Sequence, residues 1–545
     1  MDWSLASMSR SPAGRPTLGP VTSSSRGALA AAIIGSAIVF LDGTIVNIAL
    51  SRIGAALPTV AIGVLEGQVY IVAGYMATLA AFLLLAGALG DRYGRRRIFL
   101  IGLIGFGATS ILCALAPSLD VLAAARLLQG VAGALLVPGS LAIITATFEG
   151  AERGRAFGIW AASTSAIAIF GPPVGGALVE LYGWASIFLV NVPLVLLGVI
   201  LTFRYVPALR AAAAVGRFDW LGALVAAIAV GGLAFGAIRG QQVAWSEAAP
   251  LVLLGVGLVA LVAFPILMVR RRDPLVPPEM FRNSTFAAIN VSTVLIYAAL
   301  YVLLYMQSLF LQGVLGYTPL ATALVGLPTG VALALISAWA GVLAGRHGAR
   351  RFLVGGPLLM AAGASWWLRV PADSTPWQAQ ASDLASMIPP LAVFVDPLPA
   401  VLAFGVGIAF VVAPLTSTLM SSVALERAGL ASAINNALSR VGQPLASAVI
   451  FILITERFYA SLAAAVPGLD PRSADLRTAV QPLNAPDPSV GVAIEQAARL
   501  ASTDAFHAEV LVVAALLLAG AGVNWRWLKD ARPTEPDSSA PASIG

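Results

Sequence analysis

Long apolar runs broken by short polar turns occupy nearly the whole chain, and about 20 apolar residues in a row is what a helix needs to cross a bilayer. Such runs lie near 27–49, 68–90, 97–116, 121–146, 156–180, 185–204, 218–238, 250–269, 286–311, 321–344, 352–369, 399–423, 429–454 and 509–528, so fourteen membrane-spanning helices are predicted. An even number places both chain ends on one side. Residues 1–26 are polar, without the apolar core and small-residue cleavage site of a signal peptide, and read as a tail ahead of a retained first helix. Most of the 32 Lys and Arg residues fall in turns that are cytoplasmic if the N-terminus is inside, among them Arg92, Arg95, Arg96, Arg97, Arg270, Arg271, Arg272, Arg346, Arg350 and Arg351. The positive-inside bias therefore predicts an N-in, C-in topology. Arg126 and Arg440 are the two basic residues placed inside runs.

The turn from Gly87 to Arg97, GALGDRYGRRR, recurs as Gly341 to Arg351, GVLAGRHGARR. Gly87, Leu89, Arg92, Gly94, Arg96 and Arg97 reappear as Gly341, Leu343, Arg346, Gly348, Arg350 and Arg351. Any cytoplasmic turn collects arginine, but glycines and a leucine at matched spacing point to a duplicated unit. The predicted architecture is an all-α polytopic membrane protein of two six-helix bundles, 27–204 and 284–530, with linkers and two inserted helices in 205–283 and a tail at 531–545. Chains built from such repeats carry the substrate path where the halves meet. Two long external loops, 370–398 and 457–508, read as solvated connections or as a lid over the outer mouth.

Composition removes whole classes of function. With 59% hydrophobic and 11% charged residues the chain is not a soluble protein. Its net charge of +6 does not mark a nucleic-acid binder, because the arginines lie between apolar runs rather than on a basic face with interleaved aromatics. Cys113 is the single cysteine, so no intrachain disulfide forms. The two histidines, His347 and His507, have no acidic or cysteine cluster beside them, so neither a metal site nor a catalytic constellation can be assembled, and no cofactor is expected. Arginine almost wholly replaces lysine, and alanine and glycine abound. That usage fits a high-GC bacterium and a place in its cytoplasmic membrane.

Charged and kink-forming residues inside the runs are the candidate chemistry. Arg126, Gln129, Gly130 and Gly133 fall at i, i+3, i+4 and i+7, one helical face that is polar at one end and glycine-flat at the other. The glycines fit close helix packing, whereas intramembrane charge is costly and usually functional. Gly171-Pro172-Pro173 removes two backbone donors and predicts a kink, with Gly175 and Gly176 open to a crossing helix. Asn436, Arg440 and Gln443 share a face of the thirteenth run, with Arg440 about 16 Å from its cytoplasmic end by helical rise. An arginine there faces the bundle interior or a wet cavity, or pairs with carbonyls. Asp42 is the one acid placed firmly away from a helix end, and it shares a depth with Arg126, both being about 6–8 Å outward of their helix centres.

These residues resemble the fourteen-helix drug:proton antiporters of the major facilitator superfamily, the EmrB/QacA type. Leu41 to Leu50, LDGTIVNIAL, is similar to that family's LDxTVVNVALP, with Ser51 where proline is usual. The turn at Gly87, Asp91, Arg92, Gly94 and Arg95 looks like the superfamily's GxLaDRxGRR. Arg126, Gln129, Gly130 and Gly133 resemble RxxQGxG. Gly171, Pro172, Gly175 and Gly176 resemble the antiporter signature GxxxGPxxGG, although Ile167 stands at its first glycine and Pro173 is additional. Phe188, Leu189, Asn191 and Pro193 are family-like as well.

The resemblance implies the major facilitator fold and a proton-coupled antiporter that exports lipophilic small molecules, acting as a monomer among membrane lipids. A lipid or lysolipid transporter is the alternative cargo reading; a channel and a membrane-embedded enzyme are the rival classes. Asp42 and Arg126 are the expected proton-coupling pair, or else a static salt bridge fixing two helices. Asp91 is expected to latch the cytoplasmic side against the helix starting near Gly429, a one-sided lock because the second repeat has Gly345. Asn47, Gln129, Gln307, Asn436, Arg440 and Gln443 are the expected cavity residues. With so few buried acids, the cargo is expected to be neutral, zwitterionic or monocationic.

Overall fold

The computed structural model describes residues 23–528, except 149, 208–218, 244, 246, 273 and 424–427. The tail at 531–545 and most of that at 1–26 lie outside the described residues, and residues 23–26 already belong to the first helix. Regular structure among the described residues is helical, apart from one isolated bridge between Gln380 and Asp383.

The first half comprises α1 (Ser23–Ala56), α2, α3 (Arg95–Ala114), α4 (Leu119–Thr147), α5 (Gly150–Tyr182) and α6 (Asn191–Tyr205). Helix α2 runs Val64–Val69, passes through a π turn at Tyr70–Gly74 and continues as Tyr75–Tyr93. Two helices follow, α7 (Trp220–Gln242) and α8 (Ala248–Arg270). The second half comprises α9 (Ser284–Leu309, ending in a π turn at Phe310–Val314), α10 (Pro319–His347), α11 (Ala349–Trp366), α12 (Pro397–Ser421), α13 (Ala428–Ala465) and α14 (Val492–Trp527). Among the described residues, eleven helices are long and apolar enough to cross a membrane by length and composition.

Polar side chains fix the helix starts. Ser118 accepts from the Val121 N–H at the head of α4, and Thr318 from the Ala321 N–H at the head of α10. Asn283 accepts from the Thr285 and Phe286 N–H groups and donates to the Ser422 carbonyl, so it both caps α9 and ties it to the end of α12. At the N-terminal end of α4, Asp120 accepts from the N–H groups of Val60, Ala61 and Ile62, pinning the α1–α2 turn.

The duplicated turn of the sequence is a duplicated turn in space. Gly94 separates α2 from α3 at φ 96° and Gly348 separates α10 from α11 at φ 91°, a left-handed conformation open to glycine at no steric cost. Two residues on, Arg96 donates to the Phe203 carbonyl at the end of α6, and its repeat partner Arg350 donates to the Trp525 carbonyl at the end of α14. Each guanidinium therefore satisfies an orphan carbonyl on the last helix of its own half. The sequence alone reads these arginines as topology signals, and the structure adds a bundle-closing role.

Within the first half α1 packs on α4, α5 and α6; in the second α9 packs on α13 and α14. The halves meet where α5 lies on α10 and α2 on α13, and α7 packs against both α2 and α13. The predicted run at 509–528 is only the C-terminal part of α14, and α13 continues to Ala465, so the stretch between these helices shrinks from the expected 457–508 to 466–491 and holds a further short helix, Ala474–Ala479. The physical reason is amphipathicity: Ala497, Ala498, Ala501, Ala505 and Phe506 are buried while Leu500 is exposed, so helical periodicity outlasts the apolar run. The stretch 370–398 is folded onto α10, with Thr318 donating to the Ala379 carbonyl and Trp377 buried.

Candidate functional site

Asp42 near the middle of α1 and Arg126 on α4 are both buried, and Arg126 Nη1 lies 2.5 Å from Asp42 Oδ2. The other carboxylate oxygen accepts from Gln129 Nε2 and Asn191 Nδ2, each at 3.3 Å. Arg126 Nη1 also donates to Gln129 Oε1 at 2.6 Å and Nε to the Ile71 carbonyl at 3.0 Å. That carbonyl belongs to the π turn of α2, where the Tyr75 N–H points to Val72. π turns recur at functional sites because they redirect backbone groups. The guanidinium lies over the Tyr75 ring, 4.0 Å from its centroid, a cation–π contact in a dry site.

Ser110 on α3 accepts from both Gln129 (2.9 Å) and Asn191 (3.4 Å), and Cys113 Sγ reaches Gln129 Oε1 at 3.5 Å. Five helices of one bundle thus converge on one carboxylate and one guanidinium. Burying two charges is costly unless their remaining hydrogen-bonding capacity is met; here the neighbours meet it. Sequence depth predicted the pairing of Asp42 with Arg126. It missed Tyr75, Ser110 and Asn191 as partners, although helical spacing puts Tyr75 one turn below Ile71 and the apolar context of Asn191 marks it as paired.

Arg440 comes from the other half. It is buried on α13, its Nη1 is 3.9 Å from Met76 Sδ and its guanidinium is 5.8 Å from the Phe40 ring centroid, so it spans the interface between the halves. Among the described residues no carboxylate pairs with it. The Tyr75 ring lies against Arg126, and its hydroxyl has no hydrogen-bond partner.

The remaining predicted cavity residues divide. Gln443 is buried with its Oε1 unpartnered, and Asn47 likewise has an unpartnered buried Oδ1. Asn436 is exposed, and its neighbour Asn435 bonds Asn290 and Thr293 of α9. Gln307 is half-buried. Gln312 instead ties the two halves together: it donates to the Ile48 carbonyl, while Ser308 donates to the Asn47 carbonyl and Gln68 of α2 exchanges two hydrogen bonds with Asn484 of the stretch between α13 and α14.

Helix α5 joins the charged site to the opposite half. A Cβ at Gly171 would meet Leu41 at 2.9 Å and one at Gly175 would meet Ile45 at 2.1 Å, both on α1 beside Asp42. At Gly176 it would meet the α10 backbone, Leu320 Cα at 2.8 Å and the Pro319 carbonyl at 3.0 Å. Pro172 and Pro173 are accommodated within the helix. Gly176→Ala is expected to lower stability by about 1–3 kcal/mol through overpacking, read as a lower Tm of the purified protein. Gly255→Ala, where nothing lies within 4 Å of the added carbon, should leave Tm within the scatter. Equal shifts for the two would remove the argument from close approach.

At the turn between α2 and α3, Gly87, Asp91 and Arg92 are on the last turns of α2, but their side chains lie outside the described residues, as do those of the first residues of α13, which Asp91 is expected to meet. Arg95 donates to the Ala142 carbonyl of α4 at 3.1 Å.

A family model described as Major Facilitator Superfamily matches residues 32–447. The multidrug resistance protein Stp of Mycobacterium tuberculosis (strain CDC 1551 / Oshkosh) is 35% identical over 418 residues, 76% of this chain and 73% of that one. The puromycin resistance protein pur8 of Streptomyces alboniger is 33% identical over 78% of this chain and 81% of its own. The tetracenomycin C resistance and export protein of Streptomyces glaucescens is 31% identical over 79% and 76%. Among solved structures, an inward-facing bacterial homolog of the human lysosomal transporter Spinster superposes with a TM-score of 0.59 at 17% identity, covering 94% of this chain and 99% of that one. At that identity the likeness is one of fold.

Proposed function

The chain belongs to the major facilitator superfamily and is a transporter rather than an enzyme, and on that premise we propose that it is a proton-coupled antiporter exporting lipophilic small molecules, drugs or antibiotics, across a bacterial cytoplasmic membrane. The observation that carries the reading is the buried Asp42–Arg126 pair. Burial and a guanidinium pull the proton affinity of a carboxylate in opposite senses. Drawing Arg126 away therefore favours proton uptake by Asp42, and its return favours release.

Fourteen spans follow when α5, α7 and α11 are added to the eleven, with both ends cytoplasmic, and the arginines that close each half then lie on the positive side. Alternating access is supported by the polar contacts that close the outer side and by α5, which touches both α1 and α10. A drug or antibiotic cargo is supported by the names of the relatives, and its lipophilic character by an apolar cavity of about 450 Å³ between α2, α7, α8 and α13, lined by Ala80, Val230, Phe264, Phe281, Ile434 and Val441. Asp91 remains the proposed latch of the cytoplasmic side.

The test is uptake into inverted membrane vesicles of a panel of dyes, antibiotics and lipids, with and without a pH gradient. The reading predicts saturable, gradient-dependent uptake of lipophilic compounds that an uncoupler abolishes; uptake indifferent to the gradient would sink it. Arg440, buried with no counter-ion among the described residues, is assigned to the cargo. Arg440→Ala is expected to weaken apparent affinity for at least one transported compound about tenfold, the scale of one lost charge-assisted hydrogen bond. Unchanged affinity with a lower protein level would make its role structural.

A further inference from the structure

In the first bundle the buried Asp42 is compensated by Arg126; the second bundle contains a buried acid with no arginine. Glu509 lies at the middle of α14, fully buried, and neither carboxylate oxygen has a hydrogen-bond partner. Tyr305 of α9 faces it and also faces Ser447 of α13, yet the Tyr305 and Ser447 hydroxyls have no partner at hydrogen-bond distance. Gln443, one turn inward of Ser447 on α13, is buried with a free Oε1. Arg440, Gln443 and Ser447 follow one another at i, i+3 and i+7, so one polar stripe leads from the interface cation to the acid. Counting helical rise from the cytoplasmic ends, Glu509, Ser447 and Tyr305 lie at about 27, 29 and 32 Å, and Asp42 and Arg126 at about 29 and 32 Å. The two acids occupy one level of the membrane, one in each bundle.

Among the described residues no other charge is paired with Glu509. Of the elements packed on α14, α9 presents Tyr305. The basic groups of α13 are engaged elsewhere, Arg440 at Met76 and Arg457 with Asp504 at the outer end, where the exposed Glu456 also lies, and Arg350 of α11 binds the Trp525 carbonyl at the inner end. On α14 itself His507 turns toward the backbone of Trp367 and Val370. An ionised, unpaired carboxylate in such a place costs several kcal/mol, which a bound proton removes.

We propose that Glu509 is a second proton-binding site, in the C-terminal bundle, which holds its proton in this conformation and exchanges it during the transport cycle. The proposal rests on the proton-coupled reading only for the word transport; proton occupancy of Glu509 is measurable without any cargo. The experiment is infrared difference spectroscopy of the purified protein reconstituted in lipid, following the carbonyl stretch of protonated carboxylic acid as the medium is taken from neutral to alkaline and back. Wild type should show a band that bleaches reversibly with pH, Glu509→Gln should lack it, and Glu509→Asp and Asp42→Asn should keep it. A wild type without the band, a band retained in Glu509→Gln, or a band that never bleaches overturns the proposal. Bleaching by added sodium at constant pH also overturns it, because the site would then bind a metal cation. If the band behaves as expected while vesicles ignore the pH gradient, the site stands and the transport reading falls.

Discussion

Asp42→Asn abolishes gradient-driven export while leaving cargo binding and downhill exchange intact. Asparagine fills the same space and keeps one oxygen for Arg126, whose guanidinium retains Gln129 Oε1, the Ile71 carbonyl and the Tyr75 ring. The site therefore stays assembled while its titratable oxygen is gone. One coupled proton moving down one pH unit supplies about 1.4 kcal/mol, a tenfold accumulation. Wild-type inverted vesicles under such a gradient should reach at least about that ratio, and the variant should stop at equal concentrations inside and out. Normal accumulation by Asp42→Asn would exclude it as the essential proton carrier.

Arg126→Ala has the larger effect on the fold. It leaves the Asp42 carboxylate without its cation, leaves Gln129 Oε1 with only the weak Cys113 thiol donor, strips the Ile71 carbonyl of its guanidinium donor, and opens a void beside Tyr75. Removing one partner of a buried ion pair costs about 3–5 kcal/mol, whereas replacing both charges by neutral groups of similar size is often tolerated. Arg126→Ala should therefore lower Tm and detergent-extracted yield sharply, and the double variant Asp42→Asn/Arg126→Gln should recover most of that loss without recovering gradient-driven export. A double variant no more stable than Arg126→Ala would show that the site depends on packing rather than charge balance.

Much of this site was legible in the chain because its physics is local. Matched glycines and arginines exposed the duplication, and Gly94 and Gly348 do share one backbone conformation. Helical rise put Asp42 and Arg126 at one depth, and the 2.5 Å contact follows once α1 and α4 pack together. The glycines of α5 announced a close crossing but not with which helix, since Gly175 faces α1 and Gly176 faces α10.

What stayed hidden depends on contacts between distant segments. Asn191 and Ser110 join the carboxylate only through the packing of α6 and α3. Glu509 was hidden for another reason: run-counting placed it at the edge of a span and left Asp42 as the sole interior acid. The helix in fact begins at Val492, and burial of one amphipathic face carries it outward, which leaves Glu509 at its middle. Glu66 and Asp219 are buried too, Glu66 3.8 Å from Arg239 on α7, but both lie at helix starts. Glu509 corrects the expectation that Asp42 is the one acid away from a helix end.

The central claim is that cargo and proton move in opposite directions through one exchange at Asp42. The most direct measurement records cargo movement and internal pH together in proteoliposomes given a cargo gradient and no initial pH gradient. The account predicts that cargo running downhill drives protons the other way in wild type, and that Asp42→Asn exchanges cargo with no accompanying pH change. Downhill cargo flux without proton movement in wild type, or undiminished proton movement in Asp42→Asn, would contradict it.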